Sequence, residues 1–140
     1  MMNKFFEQAK VAAFKALPAS VSPANQYAKS FGALMCLAVS ADFEFEVEEF
    51  NQASIFIESD PILRREGMTT RAIEFFRGYS NAIKDVMCSR NIDFPGIQTE
   101  MIAEVRQCPE EYKSELRTVI SRLRSVSGPK EIAIFDRIAL

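Results

Sequence analysis

The sequence predicts an all-α protein, a compact single-domain bundle of about seven helices over residues 1–140. Apolar residues recur at three- and four-residue steps through most of the chain, which is the spacing of one helix face. Ser22-Pro23 and Asp60-Pro61 are typical helix starts, because the first side chain caps the helix and the proline needs no N–H partner there. With 48% apolar and 26% charged residues, the chain has the composition of a globular domain.

The helices of the first half follow from their apolar stripes and breaks. We expect a first helix that Pro18 ends and a second helix that starts after Ser22. A third helix begins near Glu46, and a short turn that Gly67 closes follows Asp60-Pro61. These assignments place Pro18, Pro23 and Pro61 at helix boundaries, where proline destabilises a helix least.

In the second half, Thr69 caps a helix of more than 20 residues with a regular apolar stripe. Residues 93–96 (DFPG) break it, and another helix then runs to Cys108. Pro109 lies in the first turn of a helix that continues to Gly128-Pro129, and residues 130–138 form the last helix. Short loops join all of these segments.

Residues 43–48 depart from the helical pattern. Phe43, Phe45 and Val47 alternate with glutamates, and a period of two is typical of a strand. A single strand with no partner elsewhere would be only marginally stable. We therefore expect an extended loop that runs into a helix.

Histidine is absent from the sequence, which excludes Ser-His, Cys-His and histidine–metal sites. Cys36, Cys88 and Cys108 are widely spaced, so they predict buried packing thiols instead of a zinc cage or a disulfide framework. The N-terminal residues do not have the pattern of a secretory signal, and we expect a reducing, cytoplasmic location. Without a placed nucleophile or a phosphate-binding loop, the sequence predicts a protein that is not an enzyme.

Acidic residues are concentrated between positions 42 and 60, a segment without lysine or arginine. The acids are Asp42, Glu44, Glu46, Glu48, Glu49, Glu58 and Asp60. Oxygen ligands at two-residue steps before a helical carboxylate are one way to bind Ca²⁺. The segment is not an EF-hand, because Val47 and Ala53 stand where that motif has glycine and glutamate.

Two other interpretations of the acids remain open. They can favour a helix start and otherwise be solvated, or they can form a docking surface for a basic partner. The net charge of −2 and the absence of a dense basic stripe argue against nucleic-acid binding.

The chain resembles the TerB proteins of tellurite resistance and their TerB-like relatives. Residues 42–50 (DFEFEVEEF) are similar to the family pattern Asp-Gly-Glu-Val-Ser-x-Glu-Glu. Residues 72–76 (AIEFF), 106–111 (RQCPEE) and 119–128 resemble the family's middle helix, its Pro-Glu junction and the helix before its second acidic loop. The order and spacing of these segments over some 130 residues carry the resemblance.

The resemblance implies a helical bundle of two pseudo-repeated halves, each with an acidic loop. In the family the acids gather on one face and bind divalent metal. Family members are implicated in tellurite resistance and wider stress responses, in complexes with a membrane-embedded partner.

This chain departs from the family in both loops. Phe43 replaces the first loop's glycine, and residues 127–131 (SGPKE) replace the second loop's aspartate and several of its acids. A hard cation usually takes six or more oxygens, so metal binding is predicted to be either weak or lost.

We therefore predict a non-enzymatic, cytoplasmic stress-response module of the tellurite-resistance type that acts through protein contacts. A membrane-embedded resistance protein is a candidate partner, which would place the chain at the inner membrane without membrane insertion or nucleic-acid binding of its own. Should it bind a divalent cation such as Ca²⁺ or Zn²⁺, the predicted ligands are Asp42, Glu44, Glu46 and Glu49. The alternatives are a metal-free acidic interaction adaptor whose contact patch spans residues 42–60, and a hydrolase that depends on a divalent metal.

Overall fold

The structure, a computed structural model, describes residues 22–41, 47–87 and 94–140. These residues form seven α-helices and one short 3₁₀ helix and contain no strand, which confirms the predicted all-α bundle. The helices are α1 (Pro23–Ser40), α2 (Val47–Ser59), α3 (Pro61–Arg65), α4 (Thr69–Met87), α5 (Phe94–Arg106), α6 (Lys113–Arg124) and α7 (Pro129–Ile138), and the 3₁₀ helix Glu110–Tyr112 precedes α6. The helix predicted before Pro18 lies outside the described residues.

The central element of the bundle is α1, in which 14 of 18 residues are buried. A helix that is apolar on nearly all sides belongs in a core. It begins as the sequence predicts, because the backbone N–H of Asn25 donates to the side chain of Ser22 at 3.1 Å and Pro23 opens the first turn. Its main packing partners are α4 and α5.

Gly32 allows α1 to approach α4 closely. A Cβ atom at this position would lie 2.8 Å from the Cβ of Phe75 and 2.9 Å from the backbone nitrogen of Phe76. Both neighbours belong to a packed helix and cannot move as the end of a flexible side chain could. The distance between α1 and α4 therefore depends on glycine here.

The turn after α3 also forms as the sequence predicts. Gly67 has a φ of +68°, a conformation that favours glycine. The N–H of Met68 donates to the carbonyl of Leu63 at 2.8 Å, and the N–H of Gly67 donates to that of Arg64 at 3.3 Å. These two bonds are those of a Schellman motif, which closes α3.

Two boundaries in the second half differ from the sequence prediction. Of the break predicted at residues 93–96, residues 94–96 instead begin a helix, since α5 starts at Phe94 and includes Pro95 in its first turn. Proline is tolerated there because the first N–H groups of a helix have no partner within it. After Pro109, the 3₁₀ helix intervenes, so that α6 starts only at Lys113.

None of the helices that the structure describes is long and apolar enough to cross a membrane.

Replacing Gly32 with alanine should destabilise the protein by about 1–3 kcal/mol, because the added methyl group overpacks the contact between α1 and α4. Urea unfolding followed by circular dichroism would measure the change. Gly128→Ala is the matched control, since a Cβ there would meet only the carboxylate end of Glu131, at 3.2 Å. Equal stabilities for Gly32→Ala and the unchanged chain would contradict the close approach.

Candidate functional site

Of the four predicted metal ligands, only Glu49 falls within the described residues. It lies in the first turn of α2 and is partly exposed. Asp42, Glu44 and Glu46 lie in residues 42–46, outside the described part of the chain. The structure confirms that the segment runs into a helix, which begins at Val47.

Glu49 contributes to a surface cleft of about 110 Å³. The cleft lies between α1, α2 and the connection from α6 to α7. Its lining consists of Met35, Ala38, Val39, Glu49, Gln52, Ala53, Phe56, Leu123, Val126, Ser127 and Glu131. Seven of these eleven residues are apolar, and two are carboxylates.

The two carboxylates come from segments far apart in the sequence. Glu49 follows the first acidic segment, whereas Glu131 lies in the first turn of α7, within residues 127–131. Those are the residues that stand at the second acidic loop of the resemblance. The fold brings the two segments to one cleft, and Glu131 is not among the ligands that the sequence predicts. The sequence feature that could have identified Glu131 is that it is the one acid in residues 127–131 (SGPKE).

The other polar residues of this second segment have different roles. The hydroxyl of Ser127 donates to the carbonyl of Leu123 at 2.6 Å, so it completes the end of α6. Lys130 is exposed and does not line the cleft. Glu131 is therefore the carboxylate that this segment adds to the cleft.

A complete cation site cannot be assembled from the described residues alone. Residues 22–41, 47–87 and 94–140 contain no group of three or more cysteines or acids that could hold a metal ion. Glu49 and Glu131 supply carboxylate oxygens, which suit Ca²⁺ and Mg²⁺ better than Zn²⁺. The remaining predicted ligands belong to residues 42–46.

The acidic surface is smaller than the sequence suggests, because Asp60 is not part of it. Asp60 is only 1% exposed, whereas Glu48 and Glu58 are exposed. Its side chain caps α3 by accepting a hydrogen bond from the N–H of Leu63 at 3.0 Å. The contact patch predicted over residues 42–60 therefore loses its last acid. The Asp60-Pro61 pair in the sequence already indicated this role, since an aspartate that caps a helix directs its carboxylate to the N–H groups of that helix.

Exposed apolar side chains occur near this cleft. Val126 lines the cleft and is 71% exposed, and Ile55 on α2 is 61% exposed. The guanidinium group of Arg122 lies 5.1 Å from the ring centre of Phe56, which also lines the cleft. The cleft therefore combines an apolar surface with carboxylates, a combination found in protein-binding sites.

The described cysteines are buried, as the sequence predicts. Cys36 accepts a hydrogen bond from the hydroxyl of Ser80 at 3.6 Å, and burial raises the pKa of its thiol to about 12. Burial also raises the pKa of Cys108 to about 12. Both thiols stay protonated at neutral pH and are poor nucleophiles.

No protein-family model matches this chain, and no curated protein or solved structure matches it either.

Cys36 and Cys108 should resist iodoacetamide at about pH 8 in the native protein, because a thiol with a pKa of about 12 is almost wholly protonated there. Peptide mass spectrometry would measure alkylation at each cysteine separately. Both should react fully in concentrated guanidinium chloride, which is the control. Native alkylation of Cys36 at the rate of a free thiol would contradict its burial.

Proposed function

We propose that this chain is a divergent TerB-like protein that acts as a non-enzymatic stress-response module of the tellurite-resistance type. It binds protein partners through the face that holds the cleft between α1, α2 and the connection from α6 to α7. The observation that carries the proposal is that Glu49 and Glu131 line one cleft. The resemblance implies that two acidic loops share a face, and this pairing supports it.

In this proposal, carboxylates provide the side-chain ligands of the cation. Asp42, Glu44, Glu46 and Glu49 supply the oxygens of the first segment, and Glu131 adds one carboxylate from the second. The chain has no histidine, so this donor set favours Ca²⁺ over Zn²⁺. Binding of the cation is weak, because the second segment lacks the several acids of the family's second loop. Ser127, which replaces an aspartate there, donates its hydroxyl to the carbonyl of Leu123 at the end of α6.

A thermal melt in EDTA and then in millimolar Ca²⁺ tests the metal part of the proposal. An ion that binds only the folded state stabilises it by about 2.7 kcal/mol at a hundred times its dissociation constant. We expect the midpoint to rise in Ca²⁺, and Asp42→Asn, Glu49→Gln and Glu131→Gln each to reduce the rise.

Glu58→Gln is the matched control, because Glu58 is an exposed acid on α2 that does not line the cleft. It should leave the rise unchanged. A midpoint that does not respond to Ca²⁺, Mg²⁺, Mn²⁺ or Zn²⁺ would overturn the proposed metal binding. The proposed binding of protein partners would not be affected by that result.

The metal-free adaptor is a second candidate, and the apolar lining of the cleft favours it. Phe56 and Val126 offer surface for an apolar anchor, and Glu49 and Glu131 offer charge for a basic flank. A basic amphipathic helix has both features. On this hypothesis the partner binds equally well in EDTA.

A synthetic helical peptide with one leucine face and one lysine face provides a defined probe for the adaptor. Glu131→Lys should weaken its binding about threefold to tenfold in EDTA, since opposite charges steer and hold such a partner. Isothermal titration calorimetry would measure the affinity, and Glu58→Lys is the matched control. Equal losses for the two variants would indicate a general effect of net charge and contradict a cleft-specific contact.

The cellular part of the proposal has its own test. A strain that lacks this chain should survive tellurite less well than its parent, and expression of the chain should restore survival. A fraction of the protein should sediment with membranes only when its membrane-embedded partner is present. Unchanged tellurite survival would contradict the assignment to this stress response.

A further inference from the structure

Glu131 is a half-buried carboxylate in the cleft between α1, α2 and the connection from α6 to α7. Among the described residues, no lysine or arginine forms an ion pair with it. Val126, in the same cleft, is 71% exposed, and Phe56 is only half-buried, so apolar surface accompanies this charge. Such a surface is complementary to a segment that carries both apolar side chains and cations.

The sequence before Ser22 has this complementary composition. Residues 1–21 contain three lysines and one glutamate, so this segment is basic although the whole chain has a net charge of −2. In the helix predicted before Pro18, apolar residues form one face and the lysines flank it. The apolar face consists of Phe5, Phe6, Ala9, Ala12, Ala13, Ala16 and Leu17, and the flanking lysines are Lys4, Lys10 and Lys15.

The reach of this segment matches the position of the cleft. The described structure begins at Ser22, which caps α1, whereas Met35 lines the cleft near the other end of that helix. With a rise of about 1.5 Å per residue, Met35 lies about 20 Å along α1 from Ser22. A helix over residues 3–17 is about 22 Å long, and residues 18–21 are enough for the turn of a helix hairpin. Folded back along α1, such a helix brings its first turn to the cleft.

We propose that residues 3–17 form a basic amphipathic helix that folds back along α1 and covers the cleft of its own chain, with Phe5 in the cleft and Lys4 paired with Glu131. The segment then occupies the surface that the proposed partner helix uses, so a partner has to displace it. This regulation rests on the proposed function, whereas the docking itself does not.

The short connection to α1 favours docking within one chain over docking between two copies. A segment joined to its site by a short linker has an effective concentration of the order of millimolar there. A second copy of the chain at micromolar concentration competes poorly with it. A weak contact is therefore filled by the chain's own segment.

Carbodiimide cross-linking of the full chain in EDTA tests the docking. This reagent joins a lysine to a carboxylate without a spacer, so it links groups that are in direct contact. We expect mass spectrometry to find the peptide that contains Lys4 joined to the peptide that contains Glu131. Glu58 is the matched control, because this exposed acid of α2 does not line the cleft and should not be joined to Lys4.

A mixture of unlabelled and isotope-labelled chains identifies the origin of the joined lysine. Docking within one chain gives products in which both peptides carry the same label. Products that combine the two labels would show that Lys4 comes from a second copy, and they would overturn docking in its own chain. A reaction that joins Lys4 to Glu58 or to no acid, but not to Glu131, overturns the proposal as well.

The synthetic peptide with one leucine face and one lysine face tests the regulation separately. Phe5→Ser should raise the affinity of the full chain for this peptide about threefold to tenfold in EDTA, because the segment then competes less well for the cleft. Isothermal titration calorimetry measures the change. Phe14→Ser is the matched control, since Phe14 lies outside the apolar face of the predicted helix and should leave the affinity unchanged.

The two experiments separate failure of the docking from failure of the proposed function. A Lys4–Glu131 cross-link without a gain of peptide affinity in Phe5→Ser supports the docking and overturns the regulation. If the peptide binds neither the unchanged chain nor Phe5→Ser, the adaptor function fails, and the cross-link decides the docking on its own. Equal gains for Phe5→Ser and Phe14→Ser contradict docking through the apolar face.

Discussion

Because α1 is buried along almost its whole length, the polar side chains that it carries need hydrogen-bond partners inside the protein. Ser40 donates to the carbonyl of Cys36 within the helix, at 2.7 Å. Ser30 donates to the carbonyl of Glu104 on α5 at 3.0 Å, and Tyr27 donates to Asp60 at the start of α3. A buried polar group left without its partner costs about 1–3 kcal/mol, so these contacts select one arrangement of the helices around α1.

Further contacts position the other helices around α1. Lys29 pairs with Glu104 at 2.8 Å, in a position where both side chains are mostly buried, and this fixes α5 against α1. Asp60 holds the junction between α2 and α3, so it also limits where α2 can place Glu49. At Gly32, the absence of a side chain lets α4 pack directly on α1.

The sequence by itself determined the features that depend on neighbouring residues. Ser22-Pro23, Asp60-Pro61 and Gly67 mark helix ends because caps, proline and a positive φ act within a few residues of the backbone. The apolar spacing likewise predicted an all-α bundle, since a stripe at helical period needs only its own segment. Phe94 shows the limit of such arguments, because the proline after it opens a helix as readily as it breaks one.

Only the tertiary structure decided which charged residues meet. From the sequence, Asp60 belongs to an acidic run, yet it is buried in the folded protein, where it accepts hydrogen bonds from Tyr27 and Leu63. Glu49 and Glu131 are more than eighty positions apart, and no local pattern relates them, but both line one cleft. Burial and convergence depend on how distant helices pack around α1, and that packing is the sum of many weak contacts that no single segment encodes.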